Sequence, residues 1–261
     1  MNFFLIFGCT PPPQAPDNLE QLSDYLYKHS FDEDTEALEM GVENLKIWLS
    51  KDQNLSNTIA GYQVNKLKDE SVANLDEKER SIQDTLIGAA IAYEHTVSFE
   101  DIIDTCFVNN WAEVYDGTYE VYDRVFSEDP SCLLNKACTQ ISYTTESESK
   151  WAGLISVTSE THGELRWVNI PDIGWTFIMR NWLYKPALVE PESIGIVVNA
   201  QYYLMMMYPS DNNTLIRTSM TWIDTDYGIL PFDEDWAKNQ VISNMQKENE
   251  VIIEYLENTE D

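Results

Sequence analysis

The spacing of apolar residues predicts helices at both ends of the chain and strands between them. Near the N-terminus, Leu19, Leu22 and Leu26 fall on one helical face, and a second apolar stripe covers residues 38–49. At the other end, apolar positions recur at helical spacing from Ala237 to Leu256. They predict a long amphipathic helix over residues 234–256, which needs a large apolar surface to lie on.

The stretch TVSFEDIIDTCFVNNW, residues 96–111, predicts a short helix between two strand-like segments. Ser98 and Asp101 form a capping-box pattern at its start. An apolar stripe with the spacing of one helical face follows, made of Phe99, Ile102, Ile103, Cys106 and Phe107. Cys106 is therefore expected to be a small buried hydrophobe rather than a reactive thiol.

The rest of the chain is rich in segments that predict strands. The candidates are residues 57–67, 84–95, 113–126, 137–145, 150–158, 161–170, 173–184, 194–207 and 214–224. A helix is the alternative for 84–95. In 194–207, every second residue from Ile194 to Met206 is expected on one face. That segment is longer than the usual strand of about 5–6 residues, so we expect it to be long, curved or bulged.

The order of these elements resembles the helix-grip fold of START-like domains (steroidogenic acute regulatory protein-related lipid transfer domains). Residues 91–125, IAYEHTVSFEDIIDTCFVNNWAEVYDGTYEVYDRV, resemble the family's strand, short helix, Trp and strand. Residues 218–242, TSMTWIDTDYGILPFDEDWAKNQVI, resemble its last strand and the start of its final helix. The resemblance covers residues 40–258, and residues 10–40 have no clear counterpart. The Arg-Asp pair often found before a central strand is absent.

The resemblance implies an α+β fold with a cavity. A curved antiparallel sheet of about seven to nine strands would wrap the long C-terminal helix, with extra N-terminal helices in the same domain. The ligand would lie between the sheet and that helix. The residues expected to line the cavity are Trp175, Phe177, Met179, Tyr202, Leu204, Met206, Met220, Trp222 and Met245. The alternative for this set is a solid core.

One arginine is a candidate polar anchor in that cavity. Arg180 lies inside a predicted strand of a chain that has few basic residues. Its guanidinium could bind a ligand carboxylate or phosphate. The alternative is an ion pair with an acidic neighbour on the sheet.

The first residues, MNFFLIFGCTPPP, resemble a bacterial lipoprotein signal. Residues 1–8 would be the signal, Cys9 the lipidated residue, 9–18 a proline-rich tether and 19–261 a single START-like domain. Phe7 is bulkier than usual before the Cys, and no Lys or Arg precedes the apolar run. The alternative is a frayed apolar N-terminus with an ordinary cysteine.

If the signal is real, the protein is lipid-anchored in the bacterial cell envelope, on the periplasmic or surface side. That compartment permits disulfides. Cys132 and Cys138 flank a short polar loop and are the natural pair. Cys106 would then remain unpaired.

Charge and missing motifs exclude several classes of function. The chain has 45 acidic and 16 basic residues, a net charge of −29, which disfavours nucleic acids and anionic membrane surfaces. It has no phosphate-cradling Gly loop, no G-x-S-x-G and no H-E-x-x-H. We therefore expect no catalytic residue, no metal site and no cofactor.

The leading hypothesis is a monomeric, lipid-anchored, non-enzymatic protein that binds a lipid or another apolar small molecule. One alternative is a cyclase- or aromatase-like enzyme on the same fold, which would need a charged side chain pointing into the cavity. The other is a structural or interaction lipoprotein with a filled core, which would have no cavity.

Overall fold

A computed structural model describes residues 13–51, 53–76, 85–115, 117–151, 155–210 and 214–259. The helices of this part are α1 (Leu19–His29), α2 (Glu36–Leu49), α3 (Asn54–Ile59), α4 (Phe99–Thr105), α5 (Ser131–Leu134) and α6 (Glu234–Thr259). The strands are β1 (Tyr62–Val64), β2 (Ile87–His95), β3 (Tyr119–Phe126), β4 (Gln140–Trp151), β5 (Ile155–Ile170), β6 (Gly174–Leu183), β7 (Leu188–Glu190), β8 (Val197–Pro209) and β9 (Leu215–Asp226).

The described strands form one curved antiparallel sheet. Its order is β1-β2-β9-β8-β6-β5-β4-β3, and β7 adds a short pairing to β5. The longest strands are β4, β5, β8 and β9, with 12 to 16 residues each. Together with the 26-residue α6, this sheet has the helix-grip arrangement, and the predicted α+β fold class with extra N-terminal helices is confirmed.

Helices α1 and α2 cover one face of the sheet, which we call the α1–α2 face. Their apolar stripes are fully buried against strand residues from the middle of the sheet, among them Tyr202, Leu204 and Trp222. The indole Nε1 of Trp222 donates to the carbonyl of Asn65 at 2.8 Å. Gly88 lies under this indole, where a Cβ would approach its Cδ1 to 2.6 Å. This face is a continuous apolar core.

Helices α4 and α6 lie on the opposite face, which we call the α6 face. Val241 and Met245 of α6 pack on Ala89 and Ile91 of β2. Further along, Ile252 and Leu256 join a cluster that includes Ile102 and Ile103 of α4. Helix α6 therefore lies over the β2–β9 side of the sheet rather than across all of it.

The helices predicted from apolar spacing are confirmed in α1, α2, α4 and α6. In α4 the Ser98 side chain caps the helix, and its Oγ accepts from the backbone N–H of Asp101 at 3.1 Å. Residues 84–95 contain strand β2, as predicted, and not the alternative helix.

Some predicted strand boundaries were wrong. In the segment 57–67, helix α3 occupies the first part and strand β1 is confined to Tyr62–Val64. The predicted break between 158 and 161 does not exist, because β5 continues from Ile155 to Ile170. Polar residues of this segment are tolerated in mid-strand because backbone pairing with β4 and β6 is continuous.

Strand β8 contains an irregularity that exchanges its two faces. The pairing register with β9 shifts between Val198 and Ala200, as expected of a β-bulge, in which one extra residue inverts the side-chain alternation. Before the shift, Ile196 and Val198 point to the α6 face; after it, Tyr203 and Met205 do. The prediction that residues 194–206 alternate on one face was therefore wrong.

The N-terminal segment is described only from residue 13. Tyr25 Oη donates to the carbonyl of Pro13 at 2.7 Å, and Asn44 Nδ2 donates to the carbonyls of Ala15 and Pro16 at 3.0 Å. The described part of the predicted tether thus lies against α1 and α2. Residues 1–8 and Cys9 lie outside the described residues. Within the described ranges, no helix is both long and apolar enough to cross a membrane.

Candidate functional site

A cavity of about 400 Å³ lies between the sheet and α6. Its walls come from the α6 face of strands β3 to β9, from α4 and from α6. It forms because α6 packs closely on β2 and leaves space over the β3–β5 side of the curved sheet. Its volume is within the range of about 300–1,000 Å³ that is typical of small-molecule sites.

One wall of the cavity is mainly apolar. Its apolar side chains come from β6 to β9, from the residue before β8 and from α6: Leu183, Val189, Ile196, Val198, Ile223, Trp236 and Val241. Asn181, Gln201 and Thr225 of the same strands also line it. Alternation along the strands presents the strand members of this set to the cavity. This wall suits a hydrocarbon or ring system.

The opposite wall, from β4 and β5, is rich in hydroxyl groups. Its residues are Thr145, Ser147, Ser149, Ser159 and Thr161. Ser147 and Ser159 are directly paired across the two strands, with their Oγ atoms 2.9 Å apart. The cavity therefore has one apolar and one hydrogen-bonding side.

Arg124 lies where this polar wall meets α4. It is 5% exposed, and its Nη1 donates to the carbonyl of Cys106 at 2.5 Å. Its Nη2 donates to Tyr122 Oη, and its Nε to Thr145 Oγ1 at 3.5 Å. The guanidinium carbon is 4.6 Å from the ring centroid of Tyr143, which is a favourable cation–π distance.

A second charged group, Arg217 on β9, is anchored to α6. Its Nη2 donates to Glu248 Oε1 at 2.7 Å, and its Nη1 to Asn249 Oδ1 at 3.1 Å. The same Asn249 oxygen lies 3.1 Å from Nε2 of buried His95. Burial, with the nearby charge of Arg217, lowers the pKa of His95 to about 4. This network ties β2 and β9 to α6 with a neutral imidazole.

The other titratable groups whose pKa values are shifted at the cavity remain protonated at neutral pH. Burial raises the pKa of Tyr119, Tyr122 and Tyr203, and it raises the pKa of Cys106 to about 11. These phenols are hydrogen-bond donors rather than bases. The buried thiol is not a thiolate nucleophile.

The structure distributes the predicted lining residues over both faces. Met179 lines the cavity. Phe177 is buried beside it in the α4 cluster, and Met245 packs on β2. Trp175 is 41% exposed, and its ring lies under Lys136 Nζ.

The prediction was wrong for eight of the nine residues: Trp175, Phe177 and Met245 lie outside the lining, and five lie on the opposite face of the sheet. Tyr202, Leu204, Met206, Met220 and Trp222 belong to the core of the α1–α2 face. The bulge after Val198 turns the β8 members away from α6, and β9 follows the same register, which pairs Tyr202 with Trp222. Their neighbours Tyr203 and Met205 line the cavity instead.

Arg180 is not at the cavity. It lies on the α1–α2 face, where its Nη2 is 2.5 Å from Glu164 Oε2 and its guanidinium stacks on Phe31. Arg180 therefore forms the ion pair that was the alternative prediction, and its prediction as a ligand anchor was wrong. Cys132 and Cys138 form a disulfide, and Cys106 is buried without a disulfide partner.

Sequence reasoning missed Arg124. It lies in the predicted strand 113–126, two residues after Tyr122 and on the same face. The sequence signal for this residue was a basic side chain inside a predicted strand of a very acidic chain. The hydroxyl wall was also missed, because Ser and Thr in a strand are typical of a solvent-facing surface. In the described part of the chain, no group of three or more His, Cys, Asp or Glu residues is placed to hold a metal ion.

Comparisons with known proteins give only distant structural likeness. No family model and no curated protein sequence matches the chain. Among solved structures, it is similar to the lipid transfer and protein localization domain of human StarD13, at 12% identity and a TM-score of 0.43, over 66% of this chain and 78% of that one. A STAR-related lipid transfer protein from Xanthomonas axonopodis is 10% identical with a TM-score of 0.42, over 68% of this chain and 97% of that one. The Zhui aromatase/cyclase from Streptomyces sp. R1128 is 10% identical with a TM-score of 0.42, over 65% of this chain and 93% of that one.

Proposed function

We propose that this protein binds an apolar or amphipathic small molecule in the cavity between the sheet and α6. The observation that carries the proposal is the cavity itself, about 400 Å³ with apolar side chains from β6 to β9 and α6 in its lining. Transfer of each ligand methylene from water to such a lining contributes about 0.8 kcal/mol. Shape and apolar contact are therefore sufficient for useful affinity without a catalytic group.

Native mass spectrometry of the purified protein tests this proposal, because a bound molecule adds its mass to the folded protein. Val157 lines the cavity, and its neighbour Thr158 on β5 points away and is exposed. Val157→Trp should place an indole in the cavity, obstruct ligand binding and abolish the added mass. Thr158→Trp is the matched control and should retain it. A wild-type protein that carries and takes up no apolar molecule would contradict the proposal.

A cyclase-like activity is a second candidate function, favoured by the charged residues that line the cavity. Arg124, Arg217 and Glu248 satisfy the requirement of that hypothesis for inward polar groups. Against it, the tyrosines with shifted pKa values are kept protonated, so they supply donors and no base. Incubation with a linear polyketide thioester distinguishes the two candidates: an enzyme releases a cyclised product that has lost water, whereas a binding protein returns the compound unchanged.

A filled structural core, the third hypothesis, does not account for the cavity.

We further propose that Cys9 carries the lipid anchor, on the basis of the sequence alone. Cys9→Ser should then release the protein from the membrane fraction of bacterial cells. Unchanged membrane association would contradict the anchoring proposal and would leave the binding proposal intact.

A further inference from the structure

We propose that the ligand carries an anionic oxygen group, a carboxylate or phosphate, which binds Arg124, while its single apolar chain lies along the β6–β9 wall. This inference rests on the proposed function and specifies its ligand class.

The electrostatic balance of the cavity is the first support. In the described chain, the charged residues among its lining are Arg124, Arg217 and Glu248. Arg217 is paired with Glu248 at 2.7 Å, which leaves the positive charge of Arg124 unmatched. A buried charge is stable only when it is paired or strongly hydrogen-bonded. An anionic ligand group supplies the missing countercharge.

Arg124 differs from other buried arginines of the described chain in its partners. Arg180 is paired with Glu164, and Arg166 donates to the carbonyls of Ser30 and Asp32 at the C-terminal end of α1, where the helix dipole favours cations. Arg124 also donates to a helix-end carbonyl, that of Cys106 after α4, and to the hydroxyls of Tyr122 and Thr145, but unlike Arg180 and Arg217 it has no carboxylate partner among the described residues. In a chain with 45 acidic residues, a buried arginine at a cavity without a carboxylate indicates a site for an external anion.

The groups around Arg124 complement an oxygen anion. Tyr122 stays protonated because burial raises its pKa, and its hydroxyl forms hydrogen bonds with Thr145 and Arg124. Trp111 also lines the cavity, and its indole Nε1 is buried without a hydrogen-bond partner in the described part of the chain. Donors of this kind are satisfied by a carboxylate or phosphate and not by a hydrocarbon.

The support of Arg124 is built into the sheet. The ring of Tyr143 lies against Gly163 on the adjacent strand, where any Cβ would overlap it, so glycine allows the ring to lie beneath the guanidinium. The Cys106 carbonyl at the end of α4 holds the guanidinium from the other side. Arg124 is therefore held at the cavity wall.

Cavity size restricts the ligand further. A volume of about 400 Å³ is near the lower end of the usual range for small-molecule sites, about 300–1,000 Å³. It favours a single-chain molecule over a lipid with two acyl chains. Dodecanoate, dodecyl phosphate and dodecanol are suitable probes, because they share one chain and differ in the head group.

Isothermal titration calorimetry of the delipidated protein tests the inference. We expect dodecanoate or dodecyl phosphate to bind wild type about 10- to 100-fold more tightly than dodecanol, as charge-assisted hydrogen bonds provide. The anion that binds more tightly identifies the head group. Arg124→Gln should remove this preference and leave dodecanol affinity within about 3-fold, and Arg124→Lys should retain part of it.

Controls separate the outcomes. Arg180→Gln removes a buried arginine from the α1–α2 face and should leave the anion preference unchanged. If Arg124→Gln does not fold, the wild-type probe series still decides. Equal affinity for dodecanol and the anions overturns the inference and leaves the proposed function standing. Absence of binding by all three probes, in a protein that carries no other apolar ligand, overturns both.

Discussion

The two faces of the sheet are built from alternate residues of the same strands, yet one is solid and the other encloses a cavity. On the α1–α2 face, leucines of two helices fill the space over β8 and β9 with no exposed surface. On the α6 face, a single helix lies to one side, and the β3–β5 side stays open. The cavity lies where α6 leaves the sheet uncovered and where the β4–β5 wall carries small hydroxyl side chains.

Buried arginines occur on both faces. Arg180 and Arg217 each have a carboxylate partner, and Arg166 donates to carbonyls at the end of α1. The α6 face holds Arg124 without a carboxylate and His95 in a neutral state. The α1–α2 face therefore contributes mainly stability, and the α6 face combines stability with binding.

The largest expected effect is a loss of stability on the solid face. Trp222→Ala removes a fully buried indole that contacts Tyr27 and donates to the carbonyl of Asn65. The free energy of unfolding should fall by about 3–5 kcal/mol, as for large-to-small changes in a close-packed core. Urea denaturation measures it. A loss below about 1 kcal/mol would show that this face is not close-packed.

The next effect tests how α6 is attached. His95 has a pKa of about 4 in the folded protein, below its ordinary value of 6.5. As the pH falls from 6.5 to 4, the unfolded chain binds this proton before the folded protein does. The free energy of unfolding should therefore fall by roughly 3 kcal/mol over this range, and this contribution is constant above pH 6.5. Urea denaturation at pH 7 and pH 4.5 measures this change, and the free energy of unfolding should fall less between the two pH values for His95→Gln than for wild type.

The control for this prediction is His162→Gln, a histidine that contacts Asp76 and Tyr184 rather than α6. It removes a histidine and leaves the network of His95, Asn249 and Arg217 intact. Identical pH dependence of wild type and His95→Gln would show that the buried imidazole does not couple α6 to the sheet.

The smallest effect compares two valines on opposite faces of β5. Val168 is buried in the α1–α2 core, and Val157 borders the cavity. Val168→Ala should cost about 2 kcal/mol of unfolding free energy, since it removes two packed carbons, whereas Val157→Ala should cost less than about 1 kcal/mol. Thermal and urea unfolding of the pair measure this. Equal losses would indicate that the cavity is closed around Val157 in solution.

The sequence by itself determined the elements and their order. Apolar spacing is a local property, so it located α1, α2, α4 and α6, and the capping pattern at Ser98 located the start of α4. The order of these elements with the strands was enough for the helix-grip fold. The loop between Cys132 and Cys138 was short enough to indicate their pairing.

Only the tertiary structure decided which face each strand residue serves. The shift after Val198 inverts the alternation of β8, and no local pattern in NAQYYLMMM reveals it, because β8 is apolar on both sides. The partner of Arg180 and the absence of a carboxylate partner for Arg124 among the described residues likewise depend on groups far away in the chain. Side-chain type follows from sequence, but burial, charge pairing and the cavity are set by contacts between distant segments.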